Sequence, residues 1–231
     1  MEFSELILAI DTSSGCSLGL LAPSGETFWV SQEARQSAHE ILPEISKLLQ
    51  AENIDVGQLS AIAVATGPGS FTGLRIGVSV AQAFGFAHDI PIVAISNLAL
   101  LAYGASLRNK RVEFNEAFFV AEGARDKEVY FGHYRHCPEI GIIAVAPEMV
   151  VCLDDIVYPT INSEPCFVGD PWFDGYGQQL GLLGAEKVRP EIGFKSIKQL
   201  LNLGRLQFLA GTFVTAGKLR PNYVKEHFDY V

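Results

Sequence analysis

The chain has 231 residues, of which 48% are hydrophobic and 19% charged, and its formal net charge is −9. This acidic balance, with no Lys/Arg cluster longer than Lys110-Arg111, excludes a protein that holds a nucleic-acid backbone through its own field. The sequence has no leader-like start and no apolar run of about 18 residues, so we expect a soluble, cytoplasmic protein of one large or two modest domains.

Three strand-like runs joined by tight turns open the chain, at residues 6–10, 18–21 and 27–30. This spacing predicts an antiparallel meander. The turn after the first run holds Asp11, Thr12 and Ser13 at the end of a buried strand, where a phosphate-binding hairpin would lie. Residues with short side-chain oxygens are also needed in any tight turn, so both interpretations stay open.

A first helix is predicted from Ser37, which has the spacing of a capping box with Glu40. Pro43 indicates that this helix starts nearer His39 or bends. One helical face carries the apolar residues Ile41, Leu42, Ile45, Leu48 and Leu49. His39 has no second histidine four residues on, so we expect no metal site there.

A strand, a sharp turn and a helix are predicted around residues 59–87. The turn and the helix start contain Gly67, Pro68, Gly69, Ser70, Phe71, Thr72, Gly73, Leu74 and Arg75. The stretch lacks the G-K-[ST] ending of a P-loop and is one residue longer than a dinucleotide fingerprint, while Ser70 and Thr72 suit helix N-caps. An anion-friendly helix start remains, with Arg75 either a phosphate clamp or a loop-pinning residue.

The predicted helix at 72–87 carries two stripes. Small residues recur every four positions, at Gly73, Gly77, Ala81 and Gly85. Glycine costs about 1 kcal/mol against alanine in a helix, so this stripe predicts close approach of another backbone. A larger apolar stripe, offset by one position, holds Ile76, Val80 and Phe84. One stripe is expected to cover the chain's own sheet and the other a helix of this chain or of a partner.

The remaining elements alternate between strands and helices. We expect a strand at 90–95, a helix at 96–103 and a linker at 104–113, then a second meander with strands at 117–121, 128–134 and 141–145. A short helix at 152–157, a strand at 166–168, a turn at 169–172, a last helix at 196–209 and an extended tail at 219–224 complete the prediction. The four cysteines have no paired spacing, so we predict neither a disulfide nor a metal site for them.

Several segments together resemble the bacterial TsaB (YeaZ) family. They are the start at residues 7–13, the segments 39–43 and 63–78 with the string GPGSFTGLRIGV, and the segments 91–96, 128–130 and 221–224. The resemblance implies an α/β, actin/hexokinase/Hsp70-like (ASKHA) fold of two RNase-H-like halves, with mixed sheets flanked by helices. It places the first half at residues 1–105, joined by the C-terminal helix and tail at about 205–231, and a reduced second half at 106–204.

The resemblance also implies a function and partners. The chain is expected to be a non-catalytic subunit in making threonylcarbamoyladenosine at position 37 of tRNA. It would pair with a catalytic paralogue of the TsaD type, be joined by a TsaE-type ATPase, touch tRNA only through the complex and form a homodimer when isolated. The implied partner surface lies on the first two long helices, at His39, Ile41, Leu42, Ile45, Leu48, Ile76, Gly77, Val80, Ala81 and Phe84.

Two features lower the expectation of bound nucleotide. The turn at 123–127 lacks the family's usual aspartate and paired arginines, and Pro171 stands where a glycine would let a nucleotide approach. We therefore expect no tightly bound cofactor, with ATP possible only in the assembled complex. A small-molecule kinase of the same superfamily, with Asp11 as its acidic group, is the main alternative. A metallopeptidase is a further alternative, for which the chain lacks ligands.

Overall fold

The computed structural model describes residues 5–31, 37–108, 117–156, 165–172, 186–188 and 195–224. Contacts between residues divide the chain into two compact units. Unit 1 contains the described residues up to Asn97 and those from Ser196 to Asn222, and unit 2 contains those from Leu98 to Lys195 with residues 223 and 224. The two units are described separately below.

Unit 1 is built on a five-stranded mixed sheet with the order β3-β2-β1-β4-β5. Its strands are β1 (Ile7–Asp11), β2 (Cys16–Ala22), β3 (Gly25–Ser31), β4 (Ala61–Gly67) and β5 (Ile92–Ser96). The first three strands pair antiparallel, which confirms the predicted opening meander, whereas β4 and β5 join them in parallel. The polar turn after β1 therefore lies at the same edge as the carboxyl end of β4.

Helices pack on both faces of this sheet. They are α1 (Ser37–Ala51), α2 (Phe71–His88) and α4 (Ile197–Leu209), while α3 (Asn97–Arg108) directly follows β5 in the chain. Ile10 and Val64 point into the core that contains the buried residues of α1 and α2. Ala63 points to the opposite face of the sheet, where α4 packs. A Cβ added to Gly204 of α4 would lie 2.4 Å from the Ala63 Cβ.

Two predicted helix boundaries need correction. The linker predicted at 104–113 is wrong for its first part, because α3 continues through Arg108. Ala105 and Ser106 are buried, so tertiary packing overrides the weak helix propensity of this glycine- and serine-containing segment. The remaining linker residues, 109–113, lie outside the described residues. Pro43 lies inside α1, which begins at Ser37 itself.

Unit 2 contains a six-stranded sheet. Its strands are β6 (Ala117–Gly123), β7 (Glu128–Cys137), β8 (Gly141–Ala144), β9 (Met149–Cys152), β10 (Cys166–Val168) and β11 (Glu186–Val188). The order is β11-β10-β6-β7-β8, with β9 on the same partner strand as β8, so the predicted second meander is confirmed. An aromatic core lies on one face, formed by Phe119, Phe131, Phe167 and Trp172. The short helix predicted at 152–157 is a single 3₁₀ turn, Leu153–Asp155.

The edges of the two units differ from the halves drawn from the sequence. All of α4 belongs to unit 1, rather than only the chain from about residue 205, because α4 packs on β1, β2, β4 and β5. Among the described residues, no helix combines the length and the apolar character that a membrane span requires. The cysteines are all free thiols, and the described part of the chain contains no cluster of His, Cys, Asp and Glu able to bind a metal.

Candidate functional site

Thr12 connects the β1–β2 turn to helix α2. Its buried hydroxyl donates to the Gly73 carbonyl oxygen at 2.7 Å and accepts from the Gly77 N–H at 3.1 Å. These two backbone groups are the acceptor and donor of one i→i−4 pair of the helix. Thr12 thus fixes both the position and the rotation of α2 against the hairpin.

The small-residue stripe of α2 packs on unit 1 itself. A Cβ on Gly73 would lie 2.0 Å from the Thr12 carbonyl oxygen, and one on Gly77 would lie 2.4 Å from Thr12 Oγ1. At the other end of the stripe, a Cβ on Gly85 would lie 2.8 Å from Ile92 Cδ1. The sequence correctly indicated that another backbone comes close. The expectation that Gly77 and Ala81 face a partner is wrong, because both are buried against the chain's own strands.

The glycine-rich turn before α2 is held by contacts from three sides. The Ser70 N–H donates to the Ser13 carbonyl oxygen at 2.9 Å, and a Cβ on Gly69 would lie 2.8 Å from Ser13 Cβ. The Asn97 side chain donates to the Pro68 carbonyl oxygen at 2.7 Å. The Asn222 N–H donates to Thr66 at the end of β4, at 2.8 Å. The tail, the hairpin and the start of α3 thus fix this turn.

Several polar groups of the predicted phosphate site have partners within the chain. The Ser70 hydroxyl oxygen accepts from the Gly73 N–H at 3.2 Å, which confirms Ser70 as the N-cap of α2. Asp11 accepts from the Ser13 N–H at 2.8 Å. Thr72 is exposed in the first turn of the helix. Arg75 lies over the ring of Phe71, 3.7 Å from its centroid, so its guanidinium makes a cation–π contact.

Acidic side chains lie near the buried Cys16 thiol at the start of β2. Burial, followed by the negative charges of Glu40, Asp11 and Glu44, raises the pKa of this thiol to about 12. The glycine-rich turn before α2 is a structural joint between β1, β4, α2 and α3.

The predicted partner surface divides into core and exposed residues. Ile41, Ile45 and Leu48 are buried in the core of unit 1, and Ile76, Val80 and Phe84 are half-buried against the same core. His39 and Leu42 are exposed, with Leu42 retaining 52% of its accessible surface. Phe71, at the start of α2, is exposed by 51%. The sequence reasoning missed Phe71 because it was considered only as part of the turn.

In unit 2, the turn after β10 closes on the chain's own backbone. Gly169 has a φ of +122°, and a Cβ there would lie 1.7 Å from the Ala121 carbonyl oxygen. The buried Trp172 donates its indole N–H to the Val168 carbonyl oxygen at 3.0 Å. Trp172, the residue after Pro171, thus belongs to the aromatic core of unit 2.

His133 is a buried titratable group that the sequence reasoning missed. Its ring centroid lies 4.7 Å from that of Phe119, and its Nε2 has no hydrogen-bond partner among the described residues. Burial lowers the pKa of His133, and the positive charge of Arg135 lowers it further. Alternation along β7 could have placed His133 on the core face beside Phe131.

Two mixed sheets, a hairpin fixed on a helix and closed turns define a mixed α/β protein of two units. A family model described as TsaD, tRNA N6-adenosine threonylcarbamoyltransferase, matches residues 31–162, more than half of the chain. The chain belongs to this family, in its TsaB (YeaZ) group, as the following similarities show.

The relatives match from 64% to 97% of this chain. The tRNA threonylcarbamoyladenosine biosynthesis protein TsaB of Haemophilus influenzae is 29% identical, over 97% of this chain and 95% of its own. The Bacillus subtilis protein of the same name is 35% identical over 64% of this chain and 63% of its own. The solved structure of YeaZ from Pseudomonas aeruginosa superposes with a TM-score of 0.75 at 28% identity, covering 95% of this chain and 99% of that one. The predicted family and the actin/hexokinase/Hsp70-like fold class are confirmed.

Proposed function

We propose that the chain is a non-catalytic subunit in tRNA threonylcarbamoyladenosine biosynthesis, which pairs with and activates a catalytic paralogue of the TsaD type. Relatives that cover almost the whole chain carry the name of this pathway. The proposal that the subunit is non-catalytic rests on the closed turn at Gly67–Arg75. In this turn the Ser70 hydroxyl accepts a hydrogen bond from Gly73, and the Arg75 guanidinium lies over the Phe71 ring.

The partner surface that we propose is the exposed apolar part of α1 and of the start of α2. The proposal rests on Leu42 and Phe71, two large apolar side chains that each leave about half of their surface in solvent. Val80 and Phe84 contribute only their outer atoms, since both pack against the core. The same surface suits a homodimer of the isolated chain, in competition with the paralogue.

Nucleotide, the TsaE-type ATPase and tRNA enter this proposal only through the assembled complex. A net charge of −9 gives the chain no field with which to hold tRNA. The kinase alternative requires carboxylates that hold Mg²⁺, and Asp11 is its one candidate, with one of its two oxygens accepting the Ser13 N–H.

Reconstitution with and without this chain tests the proposal. Paralogue, ATPase, tRNA, threonine, bicarbonate, ATP and the adenylate-forming enzyme are combined, and modified adenosine is measured. We expect product to depend on this chain, and unchanged product in its absence would contradict an activating role. ATP turnover by the isolated chain would instead support the kinase alternative.

The surface is tested with a matched pair of variants. Leu42→Arg places a charge in the proposed contact without disturbing the core, because the side chain is already exposed. We expect a loss of pairing of 10-fold or more, about 1.4 kcal/mol or greater. Ile143→Arg changes a side chain that is 43% exposed in unit 2 and should pair normally. Equal pairing by both variants would remove α1 from the interface.

A further inference from the structure

A groove runs along the carboxyl end of α2, between this helix and the segment that follows α4. It encloses about 430 Å³ and is lined by Phe86, Asp89, Pro91, Phe213, Val214 and Ala216. Phe86 and Phe213 are 74% and 48% exposed. The groove therefore presents two aromatic side chains to solvent in a concave site of a size that binds ligands.

The walls of the groove are fixed by hydrogen bonds and packing. Val214 and Ile92 exchange two backbone hydrogen bonds, of 2.8 and 2.9 Å, which attach the segment to the edge of the sheet. Gln82 of α2 donates to the carbonyl oxygens of Ala216 and Leu219. The Phe213 ring packs on Phe208 at a centroid distance of 5.9 Å. Little conformational entropy would be lost from these walls when a ligand binds.

One end of the groove is negative. Asp89 is the C-cap of α2 and has a left-handed backbone, with a φ of 54°. Its carboxylate is exposed and forms no ion pair with any residue that the structure describes. The carboxyl end of a helix also carries a partial negative charge. A cationic group would be favoured here, next to the two aromatic side chains.

An adjoining hollow has the opposite character. It holds about 460 Å³, shares Phe86 with the groove and contains Arg220. The Arg220 guanidinium donates to the carbonyl oxygens of Gly217 and Leu219, at 2.9 and 2.6 Å. The positive charge is thus held against the backbone in the adjoining hollow, while Asp89 lines the groove. An occupant that extends from the groove into the hollow would meet charges of both signs.

From this charge complementarity we propose that the groove docks a peptide segment of a partner protein, with an arginine at Asp89 and an apolar neighbour between Phe86 and Phe213. Arginine combines a charge for the carboxylate with a planar group that stacks on aromatic faces. Phe86 lies two positions beyond Phe84, which is about 200° around the helix. This surface is therefore distinct from the proposed α1–α2 contact, and both can be occupied in one molecule.

The test uses the full chain and three capped peptides that differ at one residue. Acetyl-Leu-Arg-Leu-amide is compared with its citrulline isostere, which is neutral, and with its glutamate counterpart. Binding is followed by the backbone amide signals of residues 85–91 and 213–217 in NMR titrations. We expect the arginine peptide to shift these signals and to bind about tenfold more tightly than the citrulline peptide.

The variants separate the charge from the aromatic contribution. Asp89→Asn keeps a residue type that tolerates the left-handed conformation, and it should reduce the tenfold preference to about twofold or less. Asp126→Asn is the matched control, because Asp126 is exposed in unit 2 with a φ of 56°. It should leave the preference unchanged. Phe86→Ala should weaken both peptides about fivefold.

Four results of the titrations would overturn the proposal. They are equal binding of the arginine and citrulline peptides, tighter binding of the glutamate peptide, equal binding of free arginine, and the absence of any shift at millimolar peptide. Self-association of the chain that Phe86→Ala abolishes would assign the groove to a second copy and would also overturn it.

Discussion

The contact between Thr12 and Gly77 predicts that Gly77→Ala destabilises unit 1, against the intrinsic preference of helices. Alanine in a helix interior is favoured over glycine by about 1 kcal/mol. Here the new methyl group would lie 2.4 Å from Thr12 Oγ1 and 3.3 Å from Ile10 Cγ2, so the hairpin has to move. Overpacking of this kind costs about 1–3 kcal/mol, and weakening the two Thr12 hydrogen bonds costs about 1 kcal/mol more. The expected net loss is about 2 kcal/mol in the free energy of unfolding.

The assay reports on unit 1 separately. The only two tryptophans of the chain, Trp29 and Trp172, belong to units 1 and 2, so 5-fluorotryptophan gives one ¹⁹F signal from each. Urea unfolding followed on the Trp29 signal yields the stability of unit 1. Gly217→Ala is the matched control, because a Cβ there meets no atom within 4 Å. It should be neutral.

A double-mutant cycle tests the cause of the destabilisation. Thr12→Ala removes the oxygen that the alanine methyl would strike, so the double variant with Gly77→Ala should be less destabilised than the sum by about 1–2 kcal/mol. If Gly77→Ala leaves unit 1 as stable as the parent or more stable, helix propensity outweighs the contact. The close approach of hairpin and helix would then be refuted.

Three further predictions concern unit 2 and the thiols. Gly169→Ala should cost about 3 kcal/mol or more on the Trp172 signal, because the methyl would lie 1.7 Å from the Ala121 carbonyl oxygen at a φ of +122°. Burial lowers the pKa of His133 in the folded chain, so the stability of unit 2 that depends on neutral His133 is present above about pH 6.5 and is lost as the pH falls below that value. On acidification, the unfolding transition followed on the Trp172 signal should therefore shift to a lower urea concentration. At pH 8, iodoacetamide should modify the exposed Cys152. It should not modify the buried Cys16, whose pKa is raised to about 12, and mass spectrometry of the alkylated chain would show the difference.

Each of these has its own control. Gly123→Ala has open space around the added methyl and should be neutral, so equal losses at Gly123 and Gly169 would contradict the steric argument. His133→Phe should remove part of the acid sensitivity; a variant as sensitive as the parent would assign that sensitivity to another group. Rapid alkylation of Cys16 in the native chain would show that the thiol is accessible and ionised.

The sequence predicted the order of strands and helices well, because the apolar runs and turn residues of both meanders are local signals. Spacing also indicated that the glycine stripe of α2 meets another backbone. The spacing could not identify which backbone this is. Thr12 lies 61 residues before Gly73, and neither segment contains a pattern that indicates contact with the other. The same limit applies to Asn97, a single side chain whose contact with Pro68 joins two elements.

The candidate partner surface was harder to predict for a different reason. Apolar residues at helical spacing form the same sequence pattern whether they face the chain's own core or a partner. Ile41 and Ile45 face the chain's own core and Leu42 is exposed, although all three are aliphatic neighbours in one helix. Only the position of the sheet decides between them.

The buried Thr12 hydroxyl determines which side chains of α2 face solvent. Since consecutive helical residues are about 100° apart, a slip of one position in the pairing of Thr12 with Gly73 and Gly77 would turn Phe71 and Phe86 away from their present directions. The outward faces of α2 are therefore set by a buried residue of a different segment. In redesign, exposed positions of this helix can be exchanged for new binding specificities without losing their orientation, provided that Thr12 and its two glycines are kept.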